Sequence, residues 1–366
     1  MRSCCPEYAF ALPRSHFVKR SNVQVKSLCL AIIATTVTTV LFLAAPVVFA
    51  APLRIVTFNA EILTAPGVRE GELQKFRWDV ARHDQFERVA AVIEALNPDI
   101  LNLVEVTSRE GVDYLVSILH EKGLTSYRGY HVDSHDNYTS MDVALISKIE
   151  PDAVEGQSIR TFYSPADDPT WRQFYQSKGY DGKVRKLSTG IDRNAVYLVT
   201  FAGHRLGFLG LHLKSNPSSE DSNARRTAQA EIAQRIVHQE IVGRGYLPII
   251  LGDINDYDPD VPDRDDTRDT MTEVLRTLKE FDSNKEGSEL VNVAGLMPRQ
   301  ADRYTSVWDR NENGVRDPYD VLTMIDHILL PKELMPHVTR VFVFHSIALE
   351  TSDHRPVVLD IDLPSR

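Results

Sequence analysis

The chain has 366 residues, of which 43% are hydrophobic and 25% are charged, and its formal net charge is −10. That length and composition suit a globular protein with one large domain or two ordinary ones. All three cysteines lie near the N-terminus, at Cys4, Cys5 and Cys29. The rest of the chain therefore excludes a disulfide framework, and any metal site there must use oxygen or imidazole ligands.

An apolar segment follows a basic flank at the N-terminus. The uncharged run extends from Ser27 to Leu53, and the flank before it contains Arg14, Lys19, Arg20 and Lys26. Small residues at Val48 and Ala50 predict a secretory signal cleaved before Ala51, although the run is also long enough for an N-terminal membrane anchor. The sequence thus predicts a signal peptide or anchor over 1–50, a domain over 51–366, and export to the periplasm or the medium.

The predicted domain is strongly acidic. The first 50 residues contain five basic residues and one acidic residue, which leaves 36 basic and 50 acidic residues and a net charge of −14. Such a field opposes non-specific adhesion to a polyphosphate. Action on a phosphate substrate would need a local basic patch or bound cations.

From Leu53 the pattern alternates between strands and helices. Predicted helices are 86–97, ended by Asn97-Pro98, and 224–242. Predicted strands cover 53–63, 100–106, 141–148, a hairpin over 195–215 that turns near Gly203, 246–253, 324–330, 338–347 and 355–363. Two aperiodic insertions follow Glu150 and Asn255, at about 150–192 and at 256–270, and no linker separates two domains. One α/β domain is the economical interpretation.

Polar or acidic residues directly follow several of these apolar strands. They are Asn59, Glu61, Glu105, His212, Asp253, Asn255, Asp326, Asp353 and His354. Singly, each is typical of a strand end that turns into solvent. In an α/β sheet, however, strand ends form the usual ligand crevice, and a cluster of carboxylates with an amide and imidazoles indicates a hard divalent cation.

Six short motifs occur in an order that resembles the endonuclease/exonuclease/phosphatase superfamily. They are "FNAE", "LVEV", "LHLKS", "LGDIND", "IDHIL" and "SDHRPV", and they span residues 55 to 360. That superfamily includes pancreatic-type deoxyribonucleases, AP endonucleases, inositol-polyphosphate phosphatases and neutral sphingomyelinases. The resemblance implies a four-layer α/β/β/α sandwich with two packed mixed sheets in a single domain.

The resemblance also implies metal-assisted attack of water on a phosphoester. Mg²⁺ (or Mn²⁺) would be held by Glu105, with Asn59 and Glu61 beside it and Asp353 on the metal side. The catalytic set would be His354 as general base, Asp326 to orient it, Asp253 and Asn255 at the water and phosphate, His212 as a second imidazole, and Arg193. A neutral imidazole takes a proton from water near neutral pH, and a carboxylate on its other nitrogen fixes the tautomer.

Several other polar residues have two interpretations. Arg193 is also typical of a solvated strand start, and Asp142 is the acid nearest in sequence to the position where deoxyribonucleases pair their second histidine. Phosphate contact and simple surface exposure both suit Lys214, Asn216, Arg225 and Arg226. Exposed positions are expected for His83, His131 and His135, and His327 is expected to point away from the site because side chains alternate along a strand.

The segment 309–320 has the ligand spacing of a calcium-binding loop. Oxygen ligands fall at Asp309, Asn311, Asn313, Val315, Asp317 and Asp320, with Gly314 at the turn position. Flanking strand patterns make this an isolated loop, for which a polar Asn/Gly turn is the alternative. The sequence predicts a structural Ca²⁺ here.

Taken together, the sequence predicts an exported phosphodiesterase whose substrate is nucleic acid, most simply DNA. The alternative substrate is a lipid headgroup of the sphingomyelin type, for which an exposed apolar hairpin would be needed. Candidate aromatic residues are Phe162, Tyr163, Trp171, Phe174 and Tyr175. A third possibility is a non-catalytic surface binding module on the same fold, and no stable protein partner is predicted.

Overall fold

A computed structural model of the protein describes residues 50–178, 181–217, 219–265, 272–282 and 289–366. The predicted signal or anchor segment precedes this part of the chain, apart from Ala50, and lies outside the described residues. Among the helices of the described ranges, none is long and apolar enough to span a bilayer.

Fifteen strands and four α-helices make up the described part of the chain. The strands are β1 (Ala50–Leu63), β2 (Ile100–Val106), β3 (Arg128–Tyr130), β4 (Asp142–Ser147), β5 (Gln173–Lys178), β6 (Val184–Thr189), β7 (Asn194–Phe201), β8 (His204–His212), β9 (Leu247–Asp253), β10 (Leu290–Asn292), β11 (Ser306–Trp308), β12 (Val321–Thr323), β13 (Asp326–Pro331), β14 (Val338–Val343) and β15 (Val357–Pro364). The helices are α1 (Asp79–Leu96), α2 (Arg109–Glu121), α3 (Glu220–Ile236) and α4 (Val274–Lys279).

Two larger sheets form the centre of the fold. One has six strands in the order β14-β15-β1-β2-β4-β3, and the other has five in the order β10-β13-β9-β8-β7. Each sheet is mixed, because β1 pairs with β2 and β8 with β9 in parallel, whereas the other pairs are antiparallel. Two further two-stranded ribbons consist of β5-β6 and β11-β12.

Successive side chains along each strand point to opposite faces of its sheet, and this alternation produces the layers of the fold. Ile55 and Ile249 point into a cluster shared by the two sheets, whereas their neighbours Val56 and Ile250 point outwards. Val56 packs with residues of α1 and α2, and Ile250 packs with residues of α3 and α4. The predicted four-layer α/β/β/α sandwich is therefore confirmed, with one apolar core between the sheets and one under each helical layer.

Local sequence explains several element boundaries. Helix α1 ends at Asn97, which adopts a left-handed conformation (φ 49°) before Pro98, and α3 begins after Ser219, whose side chain accepts a hydrogen bond from Ser222 N. The β7-β8 hairpin turns at Ala202 and Gly203, both at positive φ, which suits the twist of two-residue hairpins. These features match the predicted helix end and the predicted turn.

The structure departs from the predicted elements in several places. Helix α1 begins at Asp79, before the predicted start at 86, and β3, β10 and α4 were not predicted. The 150–192 insertion is not aperiodic throughout, because it contains the antiparallel β5-β6 ribbon. Helix α2 was not predicted from sequence. Helix α3 begins earlier than predicted, and the chain beyond it continues as a π-helical turn over Val237–Ile241. Part of the acidic insertion, residues 266–270, lies outside the described residues.

Candidate active site

Three predicted site residues lie side by side at one edge of the five-stranded sheet. His212 ends β8 and is in register with Asp253, which ends β9, and Asp253 is in register with Asp326, which begins β13. Parallel pairing of β8 with β9 and antiparallel pairing of β9 with β13 bring the three ends together. All three residues are buried.

Asn59 connects this edge to the six-stranded sheet. Its side-chain nitrogen donates to Glu105 Oε1 (2.9 Å) and to Asp253 Oδ2 (3.1 Å). Its side-chain oxygen accepts a hydrogen bond from Glu61 N at 2.9 Å. Both ends of the amide thus contact the protein, so Asn59 positions the two carboxylates, and its predicted place among the metal ligands stays a prediction.

Backbone strain is concentrated at the same place. Ten non-glycine residues have positive φ in the described part of the chain, and four of them are Glu61, Ile62, Glu105 and Asn255. Ile62 at φ 51° is notable because a β-branched side chain rarely adopts this conformation. Its N–H donates to Glu105 Oε2 at 3.1 Å, so the irregular end of β1 helps to hold that carboxylate. Strain of this kind is typical of functional sites.

The carboxylates at this junction have the chemistry of a cation site. Ligand atoms of Glu105, His212 and Asp253 lie within 4.8 Å of one another, as do those of Asp253, Asp326 and His354. Burial raises the pKa of Glu105, and burial followed by the charge of Asp326 raises the pKa of Asp253 to about 8. Within the described ranges, no Lys or Arg forms an ion pair with Glu105 or Asp253. Oxygen ligands without a basic partner fit a hard divalent cation.

His354 has the contacts expected of a general base. Its Nδ1 lies 2.7 Å from Asp326 Oδ2, and its Nε2 lies 3.9 Å from Asp253 Oδ2. Burial alone would lower the pKa of His354, but the charges of Asp326 and Asp353 and the Asp326 hydrogen bond outweigh it and raise that pKa well above 6.5. The dyad predicted from sequence is therefore assembled in the structure.

The turn that carries His354 is held by buried hydrogen bonds. Ser352 Oγ donates to Asn59 O (2.7 Å) and accepts from His354 N (2.9 Å). Arg355 is 3% exposed, and its guanidinium donates to Ser352 O (2.7 Å) and His354 O (3.1 Å). The arginine that follows the histidine in the sequence thus fixes the turn, and sequence reasoning assigned it no role.

His212 is approached by Arg193 and not by Asp142. One terminal nitrogen of Arg193 lies 3.2 Å from both ring nitrogens of His212, and Arg193 Nε pairs with Asp136 at 2.8 Å. Burial and the charge of Arg193 hold the pKa of His212 well below its usual value, so the ring is neutral. Arg193 is therefore part of the site and not a solvated strand-start residue.

Asp142 pairs with a different histidine. Its Oδ2 lies 2.6 Å from His131 Nε2, and its Oδ1 accepts from Ser134 N at 2.8 Å. The side chain of His131 is 3% exposed, so the expectation that it is an exposed polar residue is wrong. His83 and His135 are exposed as expected, and His135 stacks on Tyr163.

Glu61 and Asp353 lie outside both carboxylate clusters. Glu61 Oε2 accepts hydrogen bonds from the Lys75 ammonium and from Asp353 N, the latter at 2.7 Å. Burial and then the charge of Asp353 raise the pKa of Glu61 to about 7 despite Lys75. Lys75 carries no sequence signal, because its partner lies 14 residues earlier in an irregular strand end. Glu105 falls in a cluster of Asp, Glu and His residues of the described chain that could hold a cation, and metal binding by Asn59, Glu61 and Asp353 stays a prediction.

A wide groove opens beside Glu61 and Asp353. It has a volume of about 920 Å³, and its walls include Lys75, Phe76 and Trp308. Trp308 is 62% exposed. The groove therefore presents aromatic surface next to the predicted metal side of the site.

Asn255 is buried and supports the strand ends. Its backbone N–H donates to Asp253 Oδ1 (3.0 Å), and its side-chain nitrogen donates to Leu213 O (3.2 Å). The side-chain nitrogen of Asn255 is thus engaged by the protein, and its predicted role at the attacking water and phosphate stays a prediction. His327 bonds to Asp256 O and Asn292 and so points away from the site, as predicted.

The basic residues near His212 divide into two groups. Lys214 and Arg225 border a small cavity with Arg193. Arg226 is fully buried, pairs with Asp256 at 3.0 Å and donates to Lys214 O at 2.7 Å. It is neither a surface charge nor an anion ligand, which corrects both interpretations of the sequence.

The predicted calcium loop joins strands β11 and β12. In it, the side-chain nitrogens of Asn311 and Asn313 donate to Asp317 Oδ2 at 2.8 and 2.9 Å, and Gly314 N donates to Asp309 Oδ2 at 2.7 Å. Asp317 N donates to Asp320 Oδ2 at 2.8 Å. The loop is thus a hydrogen-bonded polar turn between two strands, and calcium binding there stays a prediction.

Comparison with known proteins identifies the class. A sequence profile of the Endonuclease/Exonuclease/phosphatase family matches residues 56–354, so the chain belongs to that family. Members are metal-dependent phosphoesterases, and the protein is accordingly a metal-dependent phosphoric ester hydrolase. No curated protein matches the sequence.

Solved structures share the fold at low identity. An AP endonuclease from Archaeoglobus fulgidus is 17% identical with a TM-score of 0.52, and the match covers 85% of this chain and 100% of that one. TDP2 from Caenorhabditis elegans is 14% identical with a TM-score of 0.51, over 90% and 80% of the two chains. A family protein from Leptotrichia buccalis is 15% identical with a TM-score of 0.51, over 84% and 99%.

Proposed function

We propose that the protein is a nuclease that hydrolyses phosphodiester bonds of DNA. The observation that carries this proposal is the aromatic groove lined by Phe76 and Trp308, whose walls also include Glu61 and Asp353, the residue before His354. Aromatic faces stack on nucleobases with little regard to sequence. A likeness of fold to an AP endonuclease is compatible with this substrate.

In this proposal His354 acts as the general base. Its Nε2 receives the proton of the attacking water, while Asp326 on Nδ1 fixes the tautomer and stabilises the imidazolium that forms. The water oxygen bonds to phosphorus as the bond from phosphorus to the leaving oxygen breaks. The leaving oxygen takes up a proton from solvent or from a neighbouring donor.

Glu105 and Asp253 would hold the cation, Mg²⁺ or Mn²⁺, with Asn59 setting their orientation. The bound cation supplies positive charge that offsets the phosphate anion. Its charge also counters the carboxylates that raise the pKa of His354, which favours the neutral imidazole. Arg193 and the neutral His212 are placed to donate to non-bridging phosphate oxygens.

Export belongs to the same proposal. The basic flank and apolar run before Ala51 support a secreted or periplasmic enzyme, cleaved or anchored at its N-terminus. A membrane-fractionation experiment with N-terminal sequencing of the recovered protein tests this point directly. A cytosolic, uncleaved protein would contradict it.

Nicking of supercoiled plasmid tests the substrate. The full-length chain is incubated with plasmid in Mg²⁺, in Mn²⁺, and in EDTA, beside Trp308→Ala and the exposed control Trp78→Ala. The proposal expects metal-dependent nicking that Trp308→Ala weakens and Trp78→Ala leaves intact. Absence of nicking in either metal would contradict DNA as the substrate.

A lipid headgroup is the second candidate, favoured by the β5-β6 ribbon. Phe174 and Val184 are exposed at 60% and 63%, and the ammonium of Lys186 lies 4.2 Å from the centre of the Phe174 ring. Apolar and cationic side chains together suit a membrane surface. Hydrolysis of sphingomyelin in vesicles that Phe174→Ala abolishes, without plasmid nicking, would replace the nuclease proposal with this one.

A further inference from the structure

A small cavity adjoins His212, and its lining residues differ from those of the aromatic groove. Its volume is about 150 Å³, several times the roughly 30 Å³ that one water molecule occupies in the liquid. Its walls include His212, Arg193, Lys214 and Arg225. A compact anion therefore has room beside the predicted reaction centre.

Helix α3 fixes the backbone that brings Lys214 to this cavity. Lys214 N donates to Gln229 Oε1 at 3.0 Å, and Lys214 O accepts from the buried Arg226 at 2.7 Å. Lys214 follows His212 by two residues, just past the end of β8. The backbone N–H and the backbone carbonyl of Lys214 are thus both held by α3, which fixes the position of Lys214 relative to His212.

The charges around the cavity do not balance. Arg193 pairs with Asp136 at 2.8 Å, and Arg225 pairs with Asp192 at 3.0 Å. In the described part of the chain, the Lys214 ammonium has no carboxylate within ion-pair distance, and it lies 3.4 Å from Ser215 Oγ. The cavity walls thus contain three cationic side chains and two carboxylates, which gives a local net charge of +1. In a chain with ten more acidic than basic residues, this local excess is unusual.

We propose that this cavity is a subsite for a second phosphate of the substrate, held by Lys214 with Arg225, while Arg193 serves the cleaved phosphate beside it. The inference rests on the proposed phosphodiesterase function and narrows its substrate class to molecules that carry another phosphate next to the cleaved one. The guanidinium of Arg225 donates hydrogen bonds to Thr189 Oγ1 (3.0 Å) and to Asp192 Oδ2 (3.0 Å). These two bonds fix its orientation at the cavity. A nucleic acid strand meets this requirement, whereas a lipid with a single phosphodiester does not.

The test compares substrates with one and two phosphates. The full-length enzyme in Mg²⁺ is given dithymidine monophosphate, whose only phosphate is the scissile diester, and the same compound with an added 5′- or 3′-terminal phosphate. The ratio of kcat/KM values, two phosphates over one, is measured for the wild type, Lys214→Gln, Lys214→Arg and Lys122→Gln. Lys122 pairs with Glu87 and serves as a matched loss of one charge.

The expected ratio is well above one for the wild type and falls about tenfold in Lys214→Gln, because a charge-assisted hydrogen bond to phosphate is lost. Lys214→Arg restores the ratio, and Lys122→Gln leaves it unchanged. A wild-type ratio of one, or a ratio that Lys214→Gln does not alter, overturns the subsite while cleavage itself upholds the phosphodiesterase. If the wild type cleaves neither compound nor plasmid, both the subsite and the proposed function fail.

Discussion

At the residue scale, the proposed roles of His354 and Asp326 predict how the rate depends on pH. Asp326 contributes to a pKa of His354 that lies well above its usual value. The base acts when neutral, so the rate falls as pH drops through that pKa. Replacing Asp326 by Asn removes a negative charge 2.7 Å away, which lowers the pKa of His354.

We therefore predict that Asp326→Asn moves the acidic limb of the kcat profile to lower pH. The plateau rate should also fall, by about 10²-fold or more, because the imidazolium loses its partner. A pH-rate profile of plasmid or minimal-diester cleavage measures both effects. An acidic limb that stays in place, or moves to higher pH, would contradict the pairing.

Ser352 should affect the rate through the turn that holds His354. Ser352→Ala removes two buried hydrogen bonds, to Asn59 O and from His354 N. The free energy of unfolding should fall by about 1–3 kcal/mol, and kcat should fall more than KM changes. Ser117→Ala is the control, because its hydroxyl makes one exposed bond to Tyr114 O. Equal behaviour of the two variants in urea unfolding and kcat would refute this role for Ser352.

At the element scale, the sequence predicted the parts of the fold that have strong periodicity. The strand 100–106 was predicted with the bounds that the structure has, because "ILNLVEV" is apolar on both faces. The β5-β6 ribbon was not predicted, because its exposed strands lack an apolar face and so show no alternation of apolar and polar residues in the sequence. The roles of Lys75 and Ser352 were not predicted either. Their partners, Glu61 and Asn59, lie 14 and 293 residues away in the sequence, so no local pattern indicates these contacts.

The backbone of β8 passes so close to Gly252 in β9 that this position has no room for a side chain. Gly252 has φ +133°, and a Cβ there would lie 2.0 Å from Leu211 O. We predict that Gly252→Ala costs more than about 3 kcal/mol of unfolding free energy. Gly123→Ala is the matched control, with φ +84° and open space around its Cβ, and should cost about 1–2 kcal/mol. Similar costs in urea denaturation would show that the close strand contact does not matter.

The loop after β9 is tied to α4 by a buried ion pair. Asp258 Oδ1 accepts from Lys279 Nζ at 2.7 Å, and Oδ2 accepts from Asn292 at 2.9 Å. Burial opposes the carboxylate, but the Lys279 bond and charge outweigh it and lower the pKa of Asp258. A lowered folded-state pKa gives stability that is present above the unfolded pKa of about 3.9 and is lost as pH falls through the folded value.

Asp258→Asn should therefore flatten the fall in stability below about pH 4. Chemical denaturation at a series of acid pH values measures the slope. Asp113→Asn, which removes an exposed pair with Arg109, should leave that slope close to the wild type. An unchanged slope in Asp258→Asn would mean that this carboxylate does not contribute.

At the scale of the whole molecule, an acidic protein acts on an anionic substrate. The formal net charge is −10, and the cations near the site are few. Binding to a polyphosphate releases counterions in proportion to the phosphates contacted, with a salt slope of about −0.7 to −0.9 per contact. The expected slope is set by the three cations that line the small cavity beside His212.

We predict that log(kcat/KM) for oligonucleotide cleavage falls with log[salt] with a slope no steeper than about −3. Potassium chloride titrations at fixed Mg²⁺ provide the measurement, and an uncharged-backbone oligonucleotide serves as competitor control. A slope of about −6 or steeper would indicate an extended basic surface and would contradict this prediction.

The central claim is that His354 acts as the base of a metal-dependent phosphodiesterase whose cation is held by Glu105 and Asp253. The most direct measurement is kcat for hydrolysis of bis(p-nitrophenyl) phosphate by the wild type, His354→Ala and Asp253→Asn, each with Mg²⁺ and with EDTA. We predict activity in the wild type with Mg²⁺ that falls about 10²–10⁴-fold in His354→Ala and is lost in EDTA. Equal rates for the wild type and His354→Ala, or rates that EDTA leaves unchanged, would contradict it.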